Sequence, residues 1–185
     1  MSDELPQGWI ALSFAEANIQ HFAGAWGASP DSLGKQLRVI RNGDISPTGV
    51  ISQNLPIRSF TEREIAKAKL NSGDVIVTTS GDVGKTAFWK SHSLETAASN
   101  FVRVLRSDGP AVPEWLFYYI RSMPAQRTLE EFSRGSTIKN LSSAVWDELR
   151  IPIPRGQEQK RIVTKLEALL GNVDACQQRL VKIQD

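Results

Sequence analysis

The sequence contains very little of the material from which cross-linked or metal-bound folds are built. Its 185 residues include one cysteine and two histidines, which excludes a disulfide scaffold and a four-cysteine zinc site. No apolar run approaches the roughly 20 residues that span a bilayer. The opening MSDELPQGW has neither the basic nor the apolar region of a signal peptide. We therefore expect a soluble, cytoplasmic protein with no membrane partner.

Charge is spread unevenly along the chain. Residues 1–32 carry four acidic residues and no lysine or arginine, whereas residues 33–139 carry 15 basic and 10 acidic residues, a net charge of +5. Residues 140–185 carry 7 basic and 6 acidic residues. A basic excess in the middle of the chain favours an anionic partner such as nucleic acid. A mixed, solvated surface would show the same charge, so this alternative stays open.

The order of local patterns predicts an α+β domain with a mixed or antiparallel sheet and short helices. β-Branched residues favour strands, and proline in a first turn favours helices. Thr61 and Glu64 have the spacing of a helix capping box. The expected strands are 36–45, two strands joined by a turn within 70–89, and 100–107; the expected helices are 60–70, 113–122 and one beginning at Pro124.

The last segment, residues 157–185, has the strongest pattern in the chain. It contains no proline, and its apolar residues recur at alternating steps of four and three, which is the spacing of a coiled-coil helix. Such a stripe is buried best by a partner helix, the alternative being that the helix folds back onto its own domain. The residues of this seam are Ile162, Leu166, Leu169, Val173, Cys176, Leu180 and Ile183.

A search for catalytic groups finds none. The segment GDVGKT (81–86) resembles a phosphate-binding loop, but the required first glycine falls on Thr79. We interpret the segment as a hairpin turn. Asp147, Glu158 and Lys160 mimic a nuclease set, but Glu158 and Lys160 open the long helix and Asp147 lies across a Pro-bounded segment, so convergence on Mg²⁺ is not expected. The sequence thus predicts neither catalysis nor a bound metal.

Polar and basic loops are the best candidates for function. Arginine, lysine, hydroxyl and asparagine side chains contact phosphates and base edges in protein–DNA complexes. Loops 78–85 and 133–140 combine these groups, and loop 21–35 is a third candidate. The predicted DNA-binding residues are Lys35, Arg41, Asn42, Ser80, Lys85, Arg134, Ser136, Thr137, Lys139 and Asn140.

Several stretches of the chain resemble the specificity (S) subunit of type I restriction-modification systems. The most diagnostic is a Pro-bounded apolar run followed by a Glu-Gln pair and a long helix. The resemblance covers most of the chain. The stretches that carry it are LPQGW (5–9), RNGDI (41–45), LNSGDVIVTTSGDVGK (70–85), SRGSTIKNLS (133–142) and LRIPIPRGQEQKRIVTKLEALLGNVDA (149–175).

The resemblance implies a target recognition domain, residues 1–153, followed by a helical spacer, residues 157–185. Such a domain reads one half of a bipartite target in double-stranded DNA and docks the modification (methyltransferase) subunit and the restriction subunit. S-adenosylmethionine, ATP and Mg²⁺ are then expected on those partner subunits, and this chain would bind no cofactor and would not be an enzyme.

A full S subunit has two recognition domains and two spacers, whereas this chain has one of each. It is therefore expected to be either a half-subunit or the first half of a longer protein. A half-subunit would form a homodimer through the seam. The alternative function is a protein-interaction module that works through the coiled coil without binding DNA.

Overall fold

The structure is a computed structural model, and it describes residues 5–90, 94–133 and 141–184. The strands are β1 (Ile10–Ser13), β2 (Ile19–Ala23), β3 (Lys35–Ile40), β4 (Ile57–Phe60), β5 (Val75–Thr78), β6 (Thr86–Phe88), β7 (Thr96–Ala98), β8 (Val102–Ser107) and β9 (Arg150–Ile153). The helices are α1 (Glu62–Ala68), α2 (Pro113–Arg121), α3 (Met123–Ser133), α4 (Val145–Glu148) and α5 (Gly156–Gln184).

The strands form three sheets. A four-stranded antiparallel sheet has the order β2-β8-β5-β6, a three-stranded sheet has the order β4-β3-β7, and β1 pairs with β9. β3 runs antiparallel to β4 but parallel to β7. This arrangement confirms the predicted α+β class with antiparallel and mixed sheets and a long C-terminal helix.

The four-stranded sheet separates two hydrophobic clusters. Successive side chains of a strand point to opposite faces, so Leu105 of β8 packs with Leu116 and Ile120 of α2. Its neighbour Val104 packs with Ile40 at the end of β3, on the other face. Each face of the sheet is thus covered by a different part of the chain.

Two local predictions are confirmed in detail. The hydroxyl of Thr61 accepts a hydrogen bond from the Glu64 backbone N–H, and the Glu64 carboxylate accepts one from the Thr61 N–H, which caps α1. The turn between β5 and β6 contains Gly81 at φ +66° and Gly84 at φ +89°, a conformation that glycine adopts at no steric cost. The GDVGKT segment is therefore a hairpin connection between antiparallel strands.

The first and last strands of the domain meet. β1 pairs with β9 so that Ile10 lies opposite Ile153. Helix α2 holds this pair from the side: Trp115 Nε1 donates to the Pro152 carbonyl at 2.8 Å, and the Tyr119 hydroxyl donates to the Arg150 carbonyl at 2.9 Å. The domain therefore closes at the point where α5 begins.

Gln159 joins α5 to the domain. Its side chain is 1% exposed, and its Nε2 donates to the carbonyls of Pro110 at 2.8 Å and Pro154 at 2.9 Å. Its Oε1 accepts from the Val112 N–H at 2.9 Å. Because a buried amide with all its partners is costly to displace, these three bonds set the direction in which the helix leaves the domain. Val163, one turn further, is also buried.

Candidate nucleic-acid interface

Loops from several strands converge at one end of the molecule, which we call the loop end. β2, β3 and β5 finish there and β8 starts there. The segment after β2 is tied to β7 by the Ala25 N–H, which donates to the Ala98 carbonyl at 3.0 Å. The Ser99 N–H donates to the Ile40 carbonyl at 3.0 Å, and the Thr79 N–H donates to the Phe101 carbonyl at 3.3 Å. These bonds gather loops that lie far apart in the sequence.

Four of the predicted DNA-binding residues lie together at the loop end. Asn42 Nδ2 donates to the backbone carbonyl of Ser80. Lys85 Nζ donates to the Asn42 carbonyl at 3.3 Å, and it lies 3.5 Å from the carboxylate of Asp82. Its side chain is only 14% exposed. Lys85 therefore links two loops and presents little charge to solvent.

Arg41 is the fourth member, and its guanidinium is already engaged. Its Nε and Nη2 each donate to the Asp44 carboxylate at 3.0 Å, and the Arg41 backbone N–H donates to the same group. Asp44 is 7% exposed. The hydrogen bond to Asp44 raises the pKa of Arg41. This bidentate pair shapes the turn at 42–44 and leaves part of the guanidinium fork for a ligand.

An aromatic pair stands beside this turn. Trp26 is 42% and Phe101 45% exposed, and their ring centroids are 5.8 Å apart in an edge-to-face arrangement. The guanidinium of Arg58 lies 4.9 Å from the centre of the Trp26 ring. The pair walls an open recess of about 470 Å³ that is also lined by Asn42 and Ser80. The recess offers flat apolar surface and polar groups to the same ligand.

In the sequence, Trp26 is a candidate only as part of loop 21–35, and no motif marks Phe101 or Arg58. Phe101 lies within the predicted strand 100–107, where an aromatic residue is normally part of the core, whereas the observed strand β8 begins one residue later. The recess forms from segments near residues 26, 42, 80 and 101, and nothing in the sequence indicates that these meet.

The predicted residues in loop 133–140 lie outside the described residues. These are Arg134, Ser136, Thr137, Lys139 and Asn140. Where the description resumes, the Leu141 N–H donates to the Thr79 carbonyl at 2.8 Å, beside Ser80. The chain that follows this loop is therefore held at the loop end.

Lys35 is not brought to this group. It starts β3, whereas Arg41 follows the end of that strand, about 20 Å away at roughly 3.3 Å per residue. Its Nζ pairs with the Glu95 carboxylate, which also binds Lys69 at 2.5 Å. Hydrogen bonds from Lys35 and Lys69 lower the pKa of Glu95 to about 2. Lys35 takes part in a surface ion-pair network at the opposite end of the domain.

Beyond its first turns, the seam of α5 is exposed. Ile162 packs against the core, but Leu169 is 52%, Val173 50% and Leu180 62% exposed. Cys176 is exposed as well. In a single chain, then, this part of the helix does not fold back onto its own domain. Leu166 is partly buried, and the side chain of Ile183 lies outside the described positions.

The described ranges contain neither a metal-binding cluster nor a membrane-spanning helix. No group of three or more His, Cys, Asp and Glu side chains within them is placed to hold a metal ion. The helices of the same ranges include none with the length and apolar character that crossing a membrane would need.

Comparison with known proteins identifies the family. A family model described as "Type I restriction modification DNA specificity domain" matches residues 39–185. The chain is 28% identical over 150 residues to the StySPI specificity subunit of Salmonella potsdam, and 27% identical over 150 residues to the EcoKI specificity subunit of Escherichia coli K12. In both cases the match covers 78% of this chain and 30% of the relative. The chain thus spans about a third of the length of these relatives, which are specificity subunits, as predicted.

Solved structures support the same fold. The HsdS subunit of Thermoanaerobacter tengcongensis superposes with a TM-score of 0.70 and 20% identity over 95% of this chain and 40% of that chain. A chain from a structure that addresses assembly of the type I R-M system gives a TM-score of 0.72 and 22% identity over 94% of this chain and 41% of that chain. Sequence and fold agree, and the protein belongs to the family of type I restriction-modification DNA specificity domains.

Proposed function

We propose that this chain carries the DNA target recognition domain of a type I restriction-modification specificity subunit. The domain spans residues 1–153 and reads one half of a bipartite target in double-stranded DNA. The observation that carries this proposal is the convergence of loops 24–28, 41–44 and 79–85 at the loop end. The chain itself has no catalytic role and works in the cytoplasm. S-adenosylmethionine, ATP and Mg²⁺ belong to its partner subunits.

The predicted residues have different roles in this proposal. Arg41 and Lys85 are partly neutralised by Asp44 and Asp82, so they hold the loops in place. Asn42 and Ser80 line the recess, where they face base edges. The cations of loop 133–140 supply the phosphate contacts that position the domain on the duplex.

Arg134→Ala and Lys139→Ala are each expected to weaken binding to a short duplex. Each should also reduce the slope of log affinity against log salt by about 0.9, because one fewer phosphate is neutralised. Lys67→Ala is the matched control. Lys67 lies in the last turn of α1, so this substitution removes the same charge at a position away from the loop end. Fluorescence anisotropy between about 50 and about 200 mM NaCl measures the slopes.

Equal slopes for all three variants and the wild type would contradict this assignment of loop 133–140. If the unsubstituted chain shows no salt-dependent binding to any duplex, alone or with a modification subunit, the chain is instead an interaction module that works through α5.

We further propose that the seam of the C-terminal spacer, residues 157–185, docks the modification subunit and pairs with a second copy of the chain. The stripe of exposed leucine and valine side chains supports this pairing. A groove of about 1070 Å³ beside the helix is lined by Val50, Tyr118 and Leu170, which adds apolar surface on the side of the domain.

Light scattering tests the pairing. We expect the chain to have twice its monomer mass of 20.5 kDa, and we expect Leu169→Glu with Val173→Glu to return it to one copy, because both positions lie on the seam. Ala168→Glu with Ala175→Glu adds the same charge at exposed positions beside the seam and should leave the dimer intact. A chain that is monomeric without any substitution would contradict the homodimer.

A further inference from the structure

We infer that Arg103, beside His21 at the loop end, forms an anion site that binds a phosphate of the DNA backbone. The inference rests on the proposed function and adds a contact that neither the sequence pattern nor the family resemblance indicates. Arg103 is the second residue of β8, two positions after Phe101, and it lies opposite Ala23 at the end of β2.

Two arginines on β8 provide an internal comparison. Arg106 faces one side of the sheet and donates from Nε and Nη2, both at 2.8 Å, to the carboxylate of Asp74. Arg103 faces the other side and has no ion pair within the described ranges, and its Nε is buried without a hydrogen-bond partner. Burial lowers the pKa of Arg103, and no carboxylate offsets this effect. A cation of this kind is stabilised by an anion from outside the chain.

His21 completes the site. It lies opposite Leu105, so it shares a face with Arg103 and is its diagonal neighbour across the strands. Its Nδ1 is buried without a partner among the described residues. Burial and then the charge of Arg103 lower the pKa of His21, against the opposite effect of Asp147. The effect of Arg103 on His21 shows that the guanidinium lies close enough to the ring for the two side chains to form one polar cluster.

The surroundings leave the site open to DNA on one side. The indole of Trp146 covers the His21 ring, with 6.2 Å between their centroids. Asp147, whose carboxylate is 3.9 Å from His21 Nε2, is 78% exposed. Arg103 itself is partly exposed. Phe101, which walls the recess, is two residues from Arg103 along the chain. A phosphate bound at Arg103 would therefore belong to the DNA strand whose bases face the recess.

Salt-dependent binding of a short fluorescein-labelled duplex tests the site. We expect Arg103→Gln to reduce the slope of log affinity against log NaCl by about 0.9. Arg63→Gln, at an exposed position of α1, removes the same charge from the opposite end and should leave the slope unchanged. Arg103→Gln should also leave the melting temperature of the DNA-free chain equal or higher, because it removes an unpaired, partly buried charge.

Each outcome decides one question. If the wild type binds the duplex and the slopes of Arg103→Gln and Arg63→Gln are equal, the Arg103 site is wrong and the proposed function stands. If the wild type binds no duplex, either alone or with a modification subunit, the proposed function fails and the site fails with it. Sodium phosphate can be compared with NaCl at the same ionic strength. If phosphate raises the melting temperature of the wild type but not of Arg103→Gln, while the two variants Arg103→Gln and Arg63→Gln have equal DNA slopes, the site binds free phosphate. The assignment to DNA is then overturned.

Discussion

Substitution of Arg106 by methionine is expected to lower the free energy of unfolding by about 3 to 5 kcal/mol. The change leaves the carboxylate of Asp74, which is 1% exposed, without its charged partner in the interior. The Asn71 N–H, which donates to Asp74 at 2.7 Å, remains the carboxylate's other contact and does not replace the lost charge. Denaturant unfolding followed by tryptophan fluorescence measures the difference.

The double variant Arg106→Met with Asp74→Asn serves as the control. It removes the buried charge together with its partner, and the side-chain oxygen of asparagine can still accept the hydrogen bond from the Asn71 N–H. We expect it to recover a large part of the lost stability, because the cost lies in the orphaned carboxylate and not in the missing arginine. If the double variant is less stable than Arg106→Met alone, the ion pair is not the reason for the loss.

Substitution of Gly24 by alanine is expected to cost at least about 3 kcal/mol. A Cβ at this position would lie 1.8 Å from the Ala98 carbonyl oxygen and 2.8 Å from the Ser99 carbonyl oxygen. Both neighbours are backbone atoms, so the strand segment after β2 has to move away from β7. Because Trp26 follows two residues later, the recess should open, and the tryptophan fluorescence of the remaining folded fraction should change.

Gly43→Ala is the matched control for Gly24→Ala. A Cβ on Gly43 meets nothing within 4 Å, so we expect a change of less than about 0.5 kcal/mol, as for ordinary surface positions. Thermal unfolding of the two variants in parallel gives the comparison. A loss at Gly24 no larger than that at Gly43 would show that the contact between the two strands is not tight.

Local features of this fold were predictable because their causes are local. Thr61 and Glu64, which cap α1, are three residues apart in the sequence. The two glycines of the hairpin adopt a backbone conformation that other residues rarely adopt. Helix α5 was placed to within one residue at its start, since its heptad pattern extends over many turns. In each case the residues that cause the structure are neighbours in the sequence.

The site was less accessible to sequence reasoning, because its members depend on distant partners. Lys35 has the right chemistry for a phosphate, yet Glu95, 60 positions further along, engages it. Lys85 is covered by the turn at Asn42. Arg103 was assigned to a strand, but no local pattern distinguishes an arginine that meets an acid from one that meets none. Pairing of this kind is decided by the tertiary fold.

The pairing of β1 with β9 also determines when the chain can finish folding. Ile10 and Ile153 are 143 positions apart, so the first strand waits for almost the whole domain to be synthesised, and contacts of such large sequence separation form slowly. The bonds of Gln159 to Pro110, Val112 and Pro154 involve no residue of β1. A nascent chain can therefore orient its last helix before its first strand is in place, and the pairing of β1 with β9 completes the domain after that.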